Sequence, residues 1–232
     1  MRKRLVITAT LVLLLAAGGT WLLLDSRKGF PTTASASYDS SSEAGPRPTN
    51  VGELVATATF TFEGKVLRVE QGEPVPYDDG SGDVTVPRYL VVEVGTVFHS
   101  RDPAATVPST LLVWDGYWED GVGYEREPIG WAQPGQSGFF FVRQGRGPDG
   151  DFRGRYTPIA EGLALIGGEE VEYGHEGVWQ SLGSSASPDM FRSAISEGAR
   201  AARSGEAEPV LQTICYPSVP GDENSEPICV EE

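Results

Sequence analysis

The chain has 232 residues and a formal net charge of −15, from 18 Lys+Arg against 33 Asp+Glu. Residues 1–28 hold five of the cations and one of the acids, so the rest of the chain carries 13 against 32, a net of −19. A field of that sign repels nucleic-acid phosphates and anionic headgroups, which excludes nucleic acid as an expected partner and leaves solubility as its plain consequence.

In chain order, the first element is MRKRLVITATLVLLLAAGGTWLLLDSRK. Arg2, Lys3 and Arg4 precede an uncharged, mostly apolar run of 20 residues from Leu5 to Leu24. That length of helix spans about 30 Å, the thickness of a bilayer core. A cleavable leader has a shorter core, about 7–15 residues, and then a small-x-small site. Here the run passes through Ala16-Ala17-Gly18-Gly19 and continues, and the next such site, ASA, comes only at 34–36. We read residues 1–28 as a single transmembrane helix, with a cleaved signal and secretion as the alternative. The cationic cluster places the N-terminus in the cytoplasm, although Arg27 and Lys28 weaken the asymmetry. The rest of the chain is then extracytoplasmic, touching the membrane through the N-terminal helix only. Residues 29–50 are rich in Ser, Thr and Pro and read as a flexible linker.

Residues 51–183 carry a strand pattern. ATATFTFEGKVLRVE alternates Phe60, Phe62 and Val66 with polar positions, and Gly64 marks a bulge or a sharp bend. QGEPVPYDDGSGD reads as a loop, VPRYLVVEVGTVFH as a second long strand and STLLVWD as a third. SGFFFVRQG and RGRYTPIAEG follow as a fourth and fifth, and LALIG and EEVEY close the β region. Residues 184–205 contain one helix, with Ser187 as N-cap, Pro188 at the first position and Gly205 after its end. Its expected apolar stripe is Met190, Phe191, Ala194, Ile195, Ala201 and Ala202. Five or more strands, interior glycines and one late helix predict a mainly β domain: a small β-barrel with a packed helix, or alternatively a β-sandwich. The tail, 206–232, has seven acids and no Lys or Arg. It holds Cys215 and Cys229, the sole two cysteines. Outside the cytoplasm they are expected to form a disulfide, closing a loop of roughly 15 residues and contributing roughly 3 kcal/mol in the chain-entropy model.

Motifs for chemistry are sparse. His99 reads as a surface residue at a strand end and His175 as a turn residue. No G-x-S-x-G, HExxH, phosphate loop or dinucleotide fingerprint occurs. DGYWEDG and YDDGSGD gather oxygen ligands but lack the alternating spacing of a calcium loop, so they read as solvated acidic loops, with no metal and no cofactor expected. Two other places stand out. WDGYWEDGVGYEREPIGW, residues 114–131, gathers three Trp and two Tyr among acids. It reads as a connection of about 20 residues, long for a hairpin loop. Tyr117, Trp118, Tyr124 and Trp131 are its candidate ligand-binding residues; the alternative is that they fold back and cap the domain. Arg143, Arg146, Arg153 and Arg155 form a local basic patch, which either neutralises nearby acids or docks an acidic envelope polymer.

The succession FEGKVLRVE, YLVVEVGTVFHS, PGQSGFFFV, GRYTPIAEG resembles that of uncharacterised actinobacterial membrane-anchored or secreted proteins. It is similar in arrangement to OB-fold barrels of the netrin and metalloproteinase-inhibitor (TIMP) kind. The resemblance covers about residues 54–180 and implies an OB-like β-barrel in an extracytoplasmic compartment. The inhibitors' N-terminal metal-chelating Cys has no counterpart, so an inhibitory mechanism does not carry over. Taken together, these features point to a non-catalytic cell-envelope binding module that uses loop 115–131 on an envelope protein or a cell-wall polymer. A glycan-active enzyme with a carboxylate pair and a structural subunit of an envelope complex are the alternatives.

Overall fold

The computed structural model describes residues 36–38, 47–76, 84–120, 122–126, 130–144, 155–173, 177–183, 185–211, 213–216 and 228–231. All of them belong to one unit, residues 33–232. The expected membrane helix, 1–28, lies outside the described residues, and no described helix is long and apolar enough to cross a membrane.

The main domain opens on a helix, α1 (Val51–Thr57), where the alternating pattern suggested only strand. Its start has a local cause. The Asn50 side chain accepts from the Glu53 N–H at 2.9 Å, and the Glu53 carboxylate accepts from the Thr49 N–H at 2.7 Å. This reciprocal capping satisfies donors that the first turn leaves open. The Thr49 N–H also holds the Glu53 carboxyl below its ordinary range.

The strands are β1 (Ala36–Tyr38), β2 (Phe60–Gln71), β3 (Val75–Pro76), β4 (Val84–Ser100), β5 (Thr110–Glu119), β6 (Val122–Arg126), β7 (Ser137–Gln144), β8 (Arg155–Gly167) and β9 (Glu170–Glu172). They form one nine-stranded sheet in the order β1-β6-β5-β4-β2-β7-β8-β9, with β3 against β4. β5 pairs with β8 as well, so β5, β4, β2, β7 and β8 are joined in a closed cycle of pairings. Its other four pairings are antiparallel, and the β5–β8 pairing is parallel. The expected bulge at Gly64 is present, as a register shift between Phe62 and Gly64. A separate antiparallel pair, β10 (Thr213–Tyr216) and β11 (Ile228–Glu231), sets Cys215 opposite Cys229.

Two hydrophobic clusters lie on the two faces of the cycle. Phe62, Val66, Leu90, Val92, Leu111, Val113, Phe140 and Leu165 belong to one. Phe139, Phe141 and Ala164 belong to the other, with Leu54 and Val55 of α1, Trp179, and Phe191 and Ile195 of α2 (Pro188–Ser204). The run GFFFV is apolar without a break because β7 is covered on both faces. α2 has the expected caps, but the face it buries is shifted: Phe191, Ile195, Gly198 and Ala199 are buried, and Met190 is exposed. Spacings of four, three and one follow the helix period, so a single stripe satisfies the sheet and α1 together. Phe191 stacks on Phe139 at 5.5 Å and meets Tyr173 edge-on at 4.8 Å. Arg192 then clamps the helix to β2 through two bonds to Glu63, at 2.9 and 2.7 Å, which pushes the guanidinium pKa up.

Candidate functional site

The aromatic stretch is a hairpin and not the long loop its length suggested. β5 runs on to Glu119, and β6 returns with Tyr117 opposite Tyr124, Trp118 opposite Gly123 and Glu119 opposite Val122. Asp120, at the turn, has φ of 48°. Asp tolerates that left-handed conformation through its short polar side chain, and Asp-Gly is the pair that a two-residue hairpin turn selects. The signal therefore stood in the sequence as Glu119-Asp120-Gly121-Val122.

The register divides the aromatics between two faces. On one, Trp118 lies opposite Gly123 and both are buried. A Cβ at Gly123 would come within 2.9 Å of Cζ3 of Trp131, and one at Gly116 (φ +121°) within 2.7 Å of its Nε1. Two positions without side chains thus make the slot that the Trp131 indole fills. The indole donates to the Tyr124 carbonyl at 3.1 Å and meets Trp118 edge-on at 5.4 Å. Over its ring, at 4.6 Å, sits the guanidinium of Arg88.

Arg88 and Asp115 are the residues that sequence reasoning missed. Their side chains are 2% and 3% exposed and form an ion pair. Arg88 also donates to the Ala132 carbonyl at 2.7 Å. Arg88 shares the strand parity of Leu90 and Val92, and Asp115 that of Leu111 and Val113, all four of which lie in the first cluster. The available signal was a single charge at an inward position of each of two apolar strands. A carboxylate bound to a buried guanidinium ties strands together and is poorly suited to moving protons.

On the other face, Tyr117 and Tyr124 stack with ring centroids 5.0 Å apart and planes 12° from parallel. Both are half-buried. Their register neighbours are Pro87 on β4 and Ala36 on β1, giving a row across four strands. Of the four predicted ligand-binding residues, Trp118 and Trp131 are therefore packing, and Tyr117 and Tyr124 are presented.

The basic patch is described only in part. Arg143 on β7 and Arg155 on β8 are half-buried, and the Arg155 guanidinium lies 5.4 Å from the Tyr89 ring. Arg146 and Arg153 lie outside the described residues, as do His175 and the whole of YDDGSGD. His99 is not the surface residue expected of a strand end. It is buried on β4 opposite Thr61, and neither ring nitrogen nor the Thr61 hydroxyl has a hydrogen-bond partner among the described residues. Burial, followed by the charges of Arg203 and Arg101, lowers the His99 pKa. Among the described residues no three His, Cys, Asp or Glu side chains gather as metal ligands would.

No family model, curated protein or solved structure matches the chain.

Proposed function

We propose that this is an extracytoplasmic, membrane-anchored binding module of the cell envelope, whose ligand surface is the Tyr117–Tyr124 face of the β5–β6 hairpin. One observation carries this reading. Trp118 of the hairpin and Trp131 packed against it are buried and fix its shape, and Tyr117 and Tyr124 are stacked in parallel and left half-exposed. Rigid, flat, partly polar rings of this kind bind at low entropic cost, and a locked layer beneath them pre-organises the surface. The ligand is an envelope protein or a cell-wall polymer, in keeping with the acidic body of the domain.

The scaffold is an OB-like β-barrel, a reading supported by the closed pairing cycle and by the cluster formed from alternate residues of its strands. Residues 1–28 anchor it, and Cys215 and Cys229, opposite each other in register, form its disulfide. The burial of Trp118 and Trp131 favours a second reading, a structural subunit whose hairpin is only a packing element.

The test compares the full chain in detergent with Y117S/Y124S. Each is sedimented with isolated cell-wall polymer and crosslinked to solubilised envelope proteins. The double variant is expected to be recovered roughly tenfold less in one of the two assays, the loss of about 1.4 kcal/mol that a modest aromatic hot spot supplies. Equal recovery of both chains in both assays would overturn the proposal in favour of the packing role.

A further inference from the structure

The outer edge of β6 is occupied. Ala36, Ser37 and Tyr38 run parallel to it as β1, in register with Tyr124, Glu125 and Arg126. Nothing in the composition of this segment accounts for a strand. Between residues 31 and 50 the sequence PTTASASYDSSSEAGPRPTN contains one large apolar side chain, Tyr38. Backbone pairing accepts almost any extended segment, and each of its hydrogen bonds contributes about 1 kcal/mol net. Three residues of such pairing are held in place largely because they belong to the same chain, which supplies a high local concentration. An occupant held in that way yields to a strand that pairs over a greater length.

The position of this edge gives it a second property. Ala36 stands opposite Tyr124, at the end of the row that runs through Tyr117 to Pro87. A strand added here lies directly beside the stacked tyrosines, and the resident strand sets a small residue, Ala36, at that point. In strand addition the main chain supplies affinity, and the places beside alternate residues supply selectivity. An edge left open would also invite uncontrolled pairing between molecules, so a weak resident strand protects the edge until it is needed.

We propose that the β6 edge is a docking edge for an extended peptide strand of a partner protein, laid parallel to β6 with a small residue opposite Tyr124, and that residues 36–38 are its resident, displaceable occupant. This takes its location from the hairpin reading above and goes beyond it in naming the partner as an extended peptide.

The test uses the full chain and A36P/S37P/Y38P. Proline removes all three N–H donors from the segment. Unchanged Trp emission shows that the domain of the variant is intact. The probe is a fluorescent peptide of residues 31–42 of this chain, followed by anisotropy. The proline variant is expected to bind it saturably and roughly tenfold more tightly than the native chain, whose own strand competes. Amide exchange over residues 122–126 is expected to be faster in the variant and to slow again when peptide is added. No saturable binding to the variant, or equal binding to both chains, overturns the proposal and leaves β1 as a permanent edge cover. Adding Y117S/Y124S to the proline variant keeps the two readings apart. Peptide binding that survives this change, while envelope recovery is lost, separates the edge from the tyrosine face. Failure of the peptide alone leaves the face reading standing.

Discussion

Arg88 ties β4 to its neighbours through the Asp115 carboxylate, the Ala132 carbonyl and the Trp131 ring. Arg88→Met is expected to destabilise the protein by about 3–5 kcal/mol, because it leaves a buried carboxylate without its partner. Replacing both residues, as Arg88→Met with Asp115→Leu, should cost much less, since no orphaned charge remains. Urea denaturation of the two single variants and the double variant measures this coupling, and additive losses would refute it. His99 gives a prediction of the opposite kind, since it is buried with no hydrogen-bond partner among the described residues. The unfolded chain takes up the His99 proton near its ordinary value of about 6.5, while the folded chain, its pKa lowered, does so only at lower pH. The stability it contributes is therefore complete above about 6.5 and is lost as pH falls through the folded value. Between about pH 7.5 and 5.5 the native protein should lose stability that His99→Leu does not, and identical pH slopes would refute this role. Neither site was legible in the sequence. Charged and titratable groups are expected outside, and only a known register shows which positions of a strand face inward.

The β5–β6 hairpin shows how an element sorts its own residues. Residue type picked out Tyr117, Trp118, Tyr124 and Trp131 from the sequence; the hairpin register assigned the first three to two faces, and Trp131 packs on the Trp118 side. The sorting was hidden because the stretch looked like a loop, although Asp120-Gly121 marks a two-residue turn. Gly123 is the position on which the packed face depends. Gly123→Ala drives a methyl group into the Trp131 ring and should cost about 1–3 kcal/mol, with a red-shifted Trp emission as the indole is displaced. An unchanged emission maximum and midpoint would show that the slot is not needed. The helices differ in legibility for a similar reason. α2 carried Ser187, Pro188 and Gly205 at its ends and could be placed from them. α1 is seven residues long, and the alternation that begins at Phe60 masked the Asn50–Glu53 cap that starts it.

For the molecule as a whole, the mainly β character and the late helix followed from strand-length apolar runs and one capped amphipathic stretch. The pairing order did not, because which strands meet depends on contacts distant in sequence. Cys215 and Cys229 are register partners across β10 and β11, and with the proposed disulfide in place alkylation of the denatured, unreduced protein should label neither, and reduction should expose both. Labelling without reduction would exclude the disulfide. The β5–β8 pairing has a consequence for the order of assembly. It joins Leu112 and Val113 of β5 to Arg155 and Tyr156 of β8, and a parallel pair cannot be closed by a tight turn. Contacts distant in sequence, this pairing and that of β2 with β7, form late and set the pace of folding. A chain interrupted before Arg155 would leave the β5 edge open along Leu112–Val113 and be prone to self-association; a chain extending through Gly167 carries the strand that covers it.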